Sequence, residues 1–221
     1  MLSALLAFVT APGNQYLEHS LDYMSLCAAA IVLATAMGIA LGVAVARRPL
    51  LALLAVNVSG LMRAIPVIVF LALALPYLGI GFAPALVALT VLGIPPILLN
   101  TYTGIRGIDP MIVDAARGIG MTSFQIIDRI QTPLVLPVVA AGVRNSAVQI
   151  VATATLAAFI GAGGYGEYIL AGLYQVDVVR ILAGAIPVAV LAFLVELGIG
   201  AIQRWVTPAG LRVQAQDATP R

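Results

Sequence analysis

The residues in this sequence that could do chemistry are few, so their spacing is informative. Eleven basic residues, all arginine, and nine acidic ones are spread over 221 positions. His19 is the only histidine, with Glu18 and Asp22 close by, and Cys27 is the only cysteine. A metal cage needs several converging ligands. The lone histidine therefore reads as a wet interfacial residue rather than part of a metal or Ser-His-Asp site. One cysteine cannot form an intrachain disulfide, and it says nothing about redox compartment. The stretch "GAGGYG", residues 161–166, satisfies the dinucleotide pattern G-x-G-x-x-G. That pattern needs a preceding strand and a soluble βαβ unit, and this stretch joins two apolar segments. Its glycines read instead as tight turns and points of close helix approach, shaping an outer mouth. No G-x-x-x-x-G-K-[ST] occurs and lysine is absent, so the lysine that grips phosphates in a P-loop is missing. The arginines form no basic run, which argues against nucleic acid. No catalytic, cofactor or metal site is read.

One polar segment stands apart. "DAARGIGMTSFQIIDRIQTP", residues 114–133, carries Asp114, Arg117, Asp128 and Arg129 in the middle of an apolar chain. Just before it, Asp109-Pro110 is a helix start, with an N-cap carboxylate and proline where no N–H is needed. Ile112, Ala115, Ala116 and Ile119 then recur at helical spacing as one apolar face. Gly118 and Gly120 end that helix. Thr122 and Gln125 make a capping box for a second helix, striped by Phe124, Ile127 and Ile130 and limited by Pro133. The residues alone allow two readings: helices lying against lipid, or a docking element for a cytoplasmic partner. Three further charges are candidates of another kind. Arg144 and Glu196 fall deep within apolar segments, where ionisable groups pair with each other or face a wet cavity. Arg63 sits at a break in a third such segment. The two deep ones read first as a structural pair. Tyr77, Tyr102, Phe159, Tyr165 and Tyr168 could line an aromatic path for a quaternary ammonium ion, but they read better as belt residues at the membrane interface.

The elements that must position these residues follow from composition. The chain is 62% hydrophobic and 9% charged, with a mean hydropathy of +1.10. Soluble domains carry about 25% charged residues, so this is an all-α integral membrane protein. A span needs about 20 apolar residues. Candidates lie at 23–46, within 50–78, at 82–104 with a kink at Pro95-Pro96, at 134–160 and at 179–203. That gives five transmembrane helices, or six if 50–62 or 1–11 inserts. The segment 1–11 lacks the basic n-region of a signal peptide and reads as interfacial. There is no internal repeat, so residues 1–221 form a single domain: core about 20–205, polar segment 109–133, tail 206–221. With the N-terminus outside, Arg47, Arg48, Arg106, Arg117, Arg129, Arg204, Arg212 and Arg221 all lie on the cytoplasmic side, leaving Arg180 outside. The positive-inside rule favours that orientation and a cytoplasmic C-terminus.

The polar segment resembles a cytoplasmic motif of the permease subunits of binding-protein-dependent ABC importers. The motif runs Glu-Ala-Ala, three residues, Gly, nine residues, Ile-x-Leu-Pro. Here Asp114-Ala115-Ala116, Gly120 and Ile130-Gln131-Thr132-Pro133 keep the same spacing, with Asp for Glu at 114 and Thr for Leu at 132. The similarity extends over about 20–205. The stretches "RAIPVIVFLALALPYLGIG" and "TATLAAFIGAGGYGEYI" are similar to permeases of osmoprotectant importers. The resemblance implies a type I ABC importer permease fold whose coupling helices dock on an ABC ATPase subunit. Asp114, Ala115, Ala116, Arg117, Gly120, Ile130 and Pro133 would be the coupling residues. It also implies a second permease copy or paralogue, an extracytoplasmic substrate-binding protein, and a place in the cell membrane among lipid. The implied solute is glycine betaine, choline, carnitine or proline. The alternatives are a permease for another small solute such as an amino acid, or an ion-coupled secondary transporter. The second would need midplane carboxylates, and Glu196 alone qualifies.

Overall fold

The computed structural model describes residues 2–207, and every regular element within them is helical. A nine-residue helix, α1 (Leu2–Thr10), leads through a single 3-10 turn into α2 (Tyr16–Ala46). Then follow α3 (Pro49–Ala64), α4 (Val67–Leu78), α5 (Phe82–Arg106), α6 (Pro110–Gly118), α7 (Ser123–Ile126), α8 (Thr132–Thr153), α9 (Tyr165–Gln175) and α10 (Val178–Val206). Of the tail expected at 206–221, residues 208–221, with Arg212 and Arg221, lie outside the described residues.

Four continuous helical stretches are long and apolar enough to cross a membrane: Pro12–Ala46, Phe82–Arg106, Ser123–Ile160 and Val178–Val206. The pair α3 and α4 meets the same test only when taken together, and it is bent by 96° at its break, as in a broken span or a re-entrant loop. The bend has a local cause. Pro66 offers no N–H, and a residue before proline is pushed out of the α region; Ile65 has φ −80° and ψ 124°. The six-span alternative has no support among these elements. At 1.5 Å per residue α1 is only about 14 Å long, and it lies against α10. Residues 50–62 belong to the first arm of the bent pair. The kink expected at Pro95-Pro96 does not interrupt the helix, since α5 is assigned unbroken through both prolines.

Close approach of backbones builds the core. Ala30, Ala34, Gly38 and Gly42 recur every four residues on the face of α2 that meets α5, and all are buried. A Cβ at Gly38 would come 2.7 Å from the Ile97 side chain, and one at Gly42 2.5 Å from Thr101. Small residues at such spacing let spanning helices pack where no hydrophobic force separates helix from lipid. Gly93 of α5 is the meeting point of three helices. A Cβ there would strike Ile150 and Ser146 of α8 and Ala34 of α2, and the Ser146 hydroxyl donates to the Gly93 carbonyl at 2.8 Å. Helix α10 packs outside this centre, on α8 and α9.

Candidate coupling site

The polar segment folds much as its caps dictate. Asp109 Oδ1 accepts from the Met111 N–H at 2.8 Å, closing the first turn of α6. The helix ends in a Schellman turn: Gly120 N–H donates to Arg117 O at 2.9 Å and Met121 N–H to Ala116 O at 3.1 Å. The turn requires a left-handed residue, and Gly120 supplies it at φ +87°. Gly118 is the last residue of α6 and has no such requirement. The capping box then opens α7: Gln125 N–H donates to the Thr122 hydroxyl at 3.3 Å, and Thr122 N–H to Gln125 Oε1 at 2.9 Å.

One expectation for this segment needs correction. Pro133 does not close the second helix. Residues Ile127–Gln131 form a π turn, Thr132 N–H reaches back to Ile127 O, and the chain continues into α8. A π turn bonds residue i to i+5, and here it shifts the bonding register immediately before Pro133. The second short helix is therefore the end of a spanning helix, with Ile130 in the π turn and Pro133 in the first turn of α8. The apolar faces of the segment are largely uncovered. Ala116 and Ile126 are the two anchors, each 3% exposed. Ile119 and Phe124 stand 81% and 77% exposed beside exposed Met111 and Ile112, with nothing among the described residues to cover them.

Asp114, Ala115 and Arg117 lie on the exposed side of α6. Arg117 Nη1 stands 3.4 Å from Asp114 Oδ1. Both side chains are largely in solvent, so the pair contributes little to stability, about 0–1 kcal/mol. Behind the segment an open apolar cavity of about 330 Å³ separates the π turn from α2 and α5, lined by Ile39, Val43, Ile105, Ile127 and Val135 with Arg47 at its edge. The structure thus brings Asp114, Ala115, Arg117, Gly120, Ile119 and Phe124 onto one uncovered surface, held at a set angle by a glycine turn and rooted in α8.

The deep charges are placed differently. Arg144 Nε lies 3.4 Å from Glu196 Oε1, without the alignment of a hydrogen bond. The arginine stem runs over Gly200, one turn beyond Glu196 on α10. Arg63, exposed near the end of α3, has no ion pair among the described residues.

The opposite end of the fold holds a cluster that sequence reasoning missed. Tyr16, Tyr23, Tyr165 and Tyr168 form a chain of ring contacts with centroids 5.0–5.8 Å apart. Tyr165 O–H donates to Ser20 Oγ at 2.9 Å, Tyr168 O–H to Asn14 O at 2.6 Å, Tyr16 O–H to Ala183 O at 2.9 Å, and Tyr23 O–H to Val151 O. Burial pushes the Tyr168 phenol up to about 12, so it stays a neutral donor. The wet histidine expected at position 19 is a clasp instead. His19 Nδ1 accepts the Gly164 N–H at 3.2 Å, and the ring meets Tyr168 edge-on. The glycine stretch is a loop, with Gly161, Gly163 and Gly164 at positive φ. Tyr165 and Tyr168, read above as belt residues, are instead buried in the cluster, while Tyr77 is 87% exposed. Tyr16, Ser20 and Tyr23 at spacings of four and three were the available signal.

Residues 30–209 match the family described as "Binding-protein-dependent transport system inner membrane component". The chain is 37% identical over 213 residues to the carnitine transport permease protein OpuCB of Listeria monocytogenes, covering 96% of this chain and 97% of that one. It is 35% identical over 211 residues to the glycine betaine/carnitine/choline transport system permease protein OpuCB of Bacillus subtilis (strain 168), with the same coverage. Among solved structures it is similar to the inward-facing MetNI methionine ABC transporter, with TM-score 0.74 and 22% identity over 85% of this chain and 94% of that one. That likeness establishes the fold, which is the type I ABC importer permease arrangement. With its spans, its glycine-hinged polar segment and these matches over nearly its whole length, the chain belongs to the family of binding-protein-dependent transport system inner membrane components and is a transport permease subunit, not an enzyme.

Proposed function

We propose that this permease forms the membrane path for a compatible solute such as glycine betaine, choline, carnitine or proline, and that residues 109–133 transmit the work of a separate ATPase. Relatives at 35–37% identity carry carnitine, glycine betaine and choline in their names. The observation that carries the coupling role is the uncovered surface of α6 and α7. Its apolar residues Met111, Ile119 and Phe124 are uncovered among the described residues, yet the turn between the helices is held by two backbone hydrogen bonds. A surface both rigid and apolar suits a groove in another protein better than a fluid lipid face. Because α7 runs through the π turn into α8, a push on the segment would reach the membrane core along one continuous helix. In this reading two permease copies, or this one and a paralogue, enclose the path, and an extracytoplasmic binding protein delivers the solute. The N-terminus lies outside, and the arginine asymmetry supports that orientation.

The test uses the reconstituted importer, with its ATPase and binding protein. Uptake of a radiolabelled betaine should depend on ATP and on the binding protein, and Gly120→Val should abolish binding-protein-stimulated hydrolysis. Orientation is read separately in a Cys27→Ala background. A cysteine at Ser123 should react with an impermeant thiol reagent only from the cytoplasm, and one at the exposed Val176 only from outside. Reversed labelling, or uptake indifferent to the binding protein, would overturn the reading.

A further inference from the structure

Several polar side chains in the spanning helices find partners within the chain. Asn100 Nδ2 donates to Pro96 O at 2.8 Å, Ser146 Oγ to Gly93 O at 2.8 Å, and the Thr153 hydroxyl to Gln149 O at 2.7 Å. Two primary amides differ. Asn145 is exposed and Gln149 half-buried, one turn apart on α8, and neither side-chain amide has a hydrogen-bond partner among the described residues. Asn145 lies roughly 20 Å along the helix from Thr132 and Gln149 roughly 6 Å further, inside the apolar stretch Ser123–Ile160. Ala152, next on the same face, is also exposed, whereas Ala147, Ile150 and Val151 on the other side are fully buried. Gly142 and Ser146 pack toward α5, and Arg144 turns toward α10. The amide face therefore opens between α5 and α10.

Hydrocarbon cannot satisfy an amide, and an unpaired amide in lipid is costly. A second observation points the same way. Arg144, next to Asn145 in sequence, and its partner Glu196 have 34% and 44% of their side-chain surface uncovered by the described residues, and ionisable groups within a span face the bundle interior or a water-filled cavity rather than lipid.

We propose that the Asn145–Gln149 face of α8 lines the solute path and exchanges hydrogen bonds with a small polar solute as it sheds water. An amide both donates and accepts. It can replace water around a carboxylate or a hydroxyl without a fixed charge that would hold the solute in place. The inference rests on the transport reading above and adds to it the residues that meet the solute.

The experiment uses the full importer in permeabilised vesicles, in a Cys27→Ala background. Asn145→Cys and Gln149→Cys are each treated with trimethylammonium-ethyl methanethiosulfonate, a water-borne cation. Ser123→Cys serves as the exposed reference and Ala147→Cys as the packed one. The two path variants should be labelled, Ala147→Cys should not, and in resealed vesicles labelling should slow solute uptake about tenfold, as a narrowed polar pore requires. If both assembled variants stay unlabelled while Ser123→Cys reacts, the face is a dry contact with the second permease and the proposal fails. Labelling without loss of uptake overturns it too. Stimulated ATP hydrolysis separates the two failures. Its absence in the unmodified complex sinks the transport reading, whereas its presence with dry amides sinks only this lining.

Discussion

The two ends of this permease use glycine for opposite purposes. At the end that holds the 161–166 loop, a Cβ at Gly164 would come 2.9 Å from the Tyr23 ring and one at Gly166 would collide with the Thr155 carbonyl. There the missing side chain makes room, and tyrosine hydroxyls and His19 bind the surroundings together. At the polar segment a Cβ on Gly120 would meet nothing within 4 Å, yet φ is +87°. There glycine is needed only for its backbone freedom. One end is completed inside the chain, while the other presents a fixed shape with its apolar residues uncovered. On the coupling reading proposed above, the difference separates what stabilises the subunit from what would meet a partner.

Substitutions should divide along the same line. The largest effect is expected at Gly166. Gly166→Val forces α9 off the 3-10 turn Ala154–Ile160, an overpacking that costs about 1–3 kcal/mol or more. The detergent-solubilised subunit should lose its cooperative melting transition, read by thermal shift of Trp205 fluorescence. A Gly166→Val protein that melts like wild type would break the contrast. Next comes Gly120→Val, where strain of about 1–2 kcal/mol from the left-handed backbone has no clash behind it. The subunit should insert and melt nearly normally, yet lose ATPase association in pull-down. A third variant sharpens the same point from the core: Arg144→Ala and Glu196→Ala. Their side chains are a third or more exposed, so the coupling in a double-mutant cycle should be modest, about 1 kcal/mol, and additive losses would show that the two do not interact. The smallest effect belongs to Asp114→Ala. It removes one partner of a surface pair, so melting should move by less than about 0.5 kcal/mol, with a partial fall in stimulated hydrolysis.

Much of the coupling segment was legible because its signals are local. The Asp109-Pro110 start and the Thr122–Gln125 box depend on neighbours within a few residues, and so does the glycine stop. The resemblance added the register of Asp114, Gly120 and Pro133. What failed was the fate of Pro133. Proline usually ends a helix by removing a donor, but a five-residue π turn before it moves the bonding register, and no local rule announces that turn. The tyrosine cluster was missed for another reason. Tyr16 and Tyr168 are far apart in sequence, and only the folding of α9 back over the start of α2 puts their rings 5.5 Å apart.

The sequence by itself determined that this chain lives in a bilayer, roughly where its long apolar stretches run, and where its glycine-hinged polar element lies. These follow from hydrophobic content and from caps and turns, which act over a handful of residues. Only the tertiary structure decided that His19 clasps the glycine loop, that the rings of Tyr16 and Tyr168 stack, and that the amides of Asn145 and Gln149 have no partners among the described residues. Each depends on which faces of separate helices come together, and that is set by close packing at Gly38, Gly42 and Gly93 rather than by any periodicity along one helix.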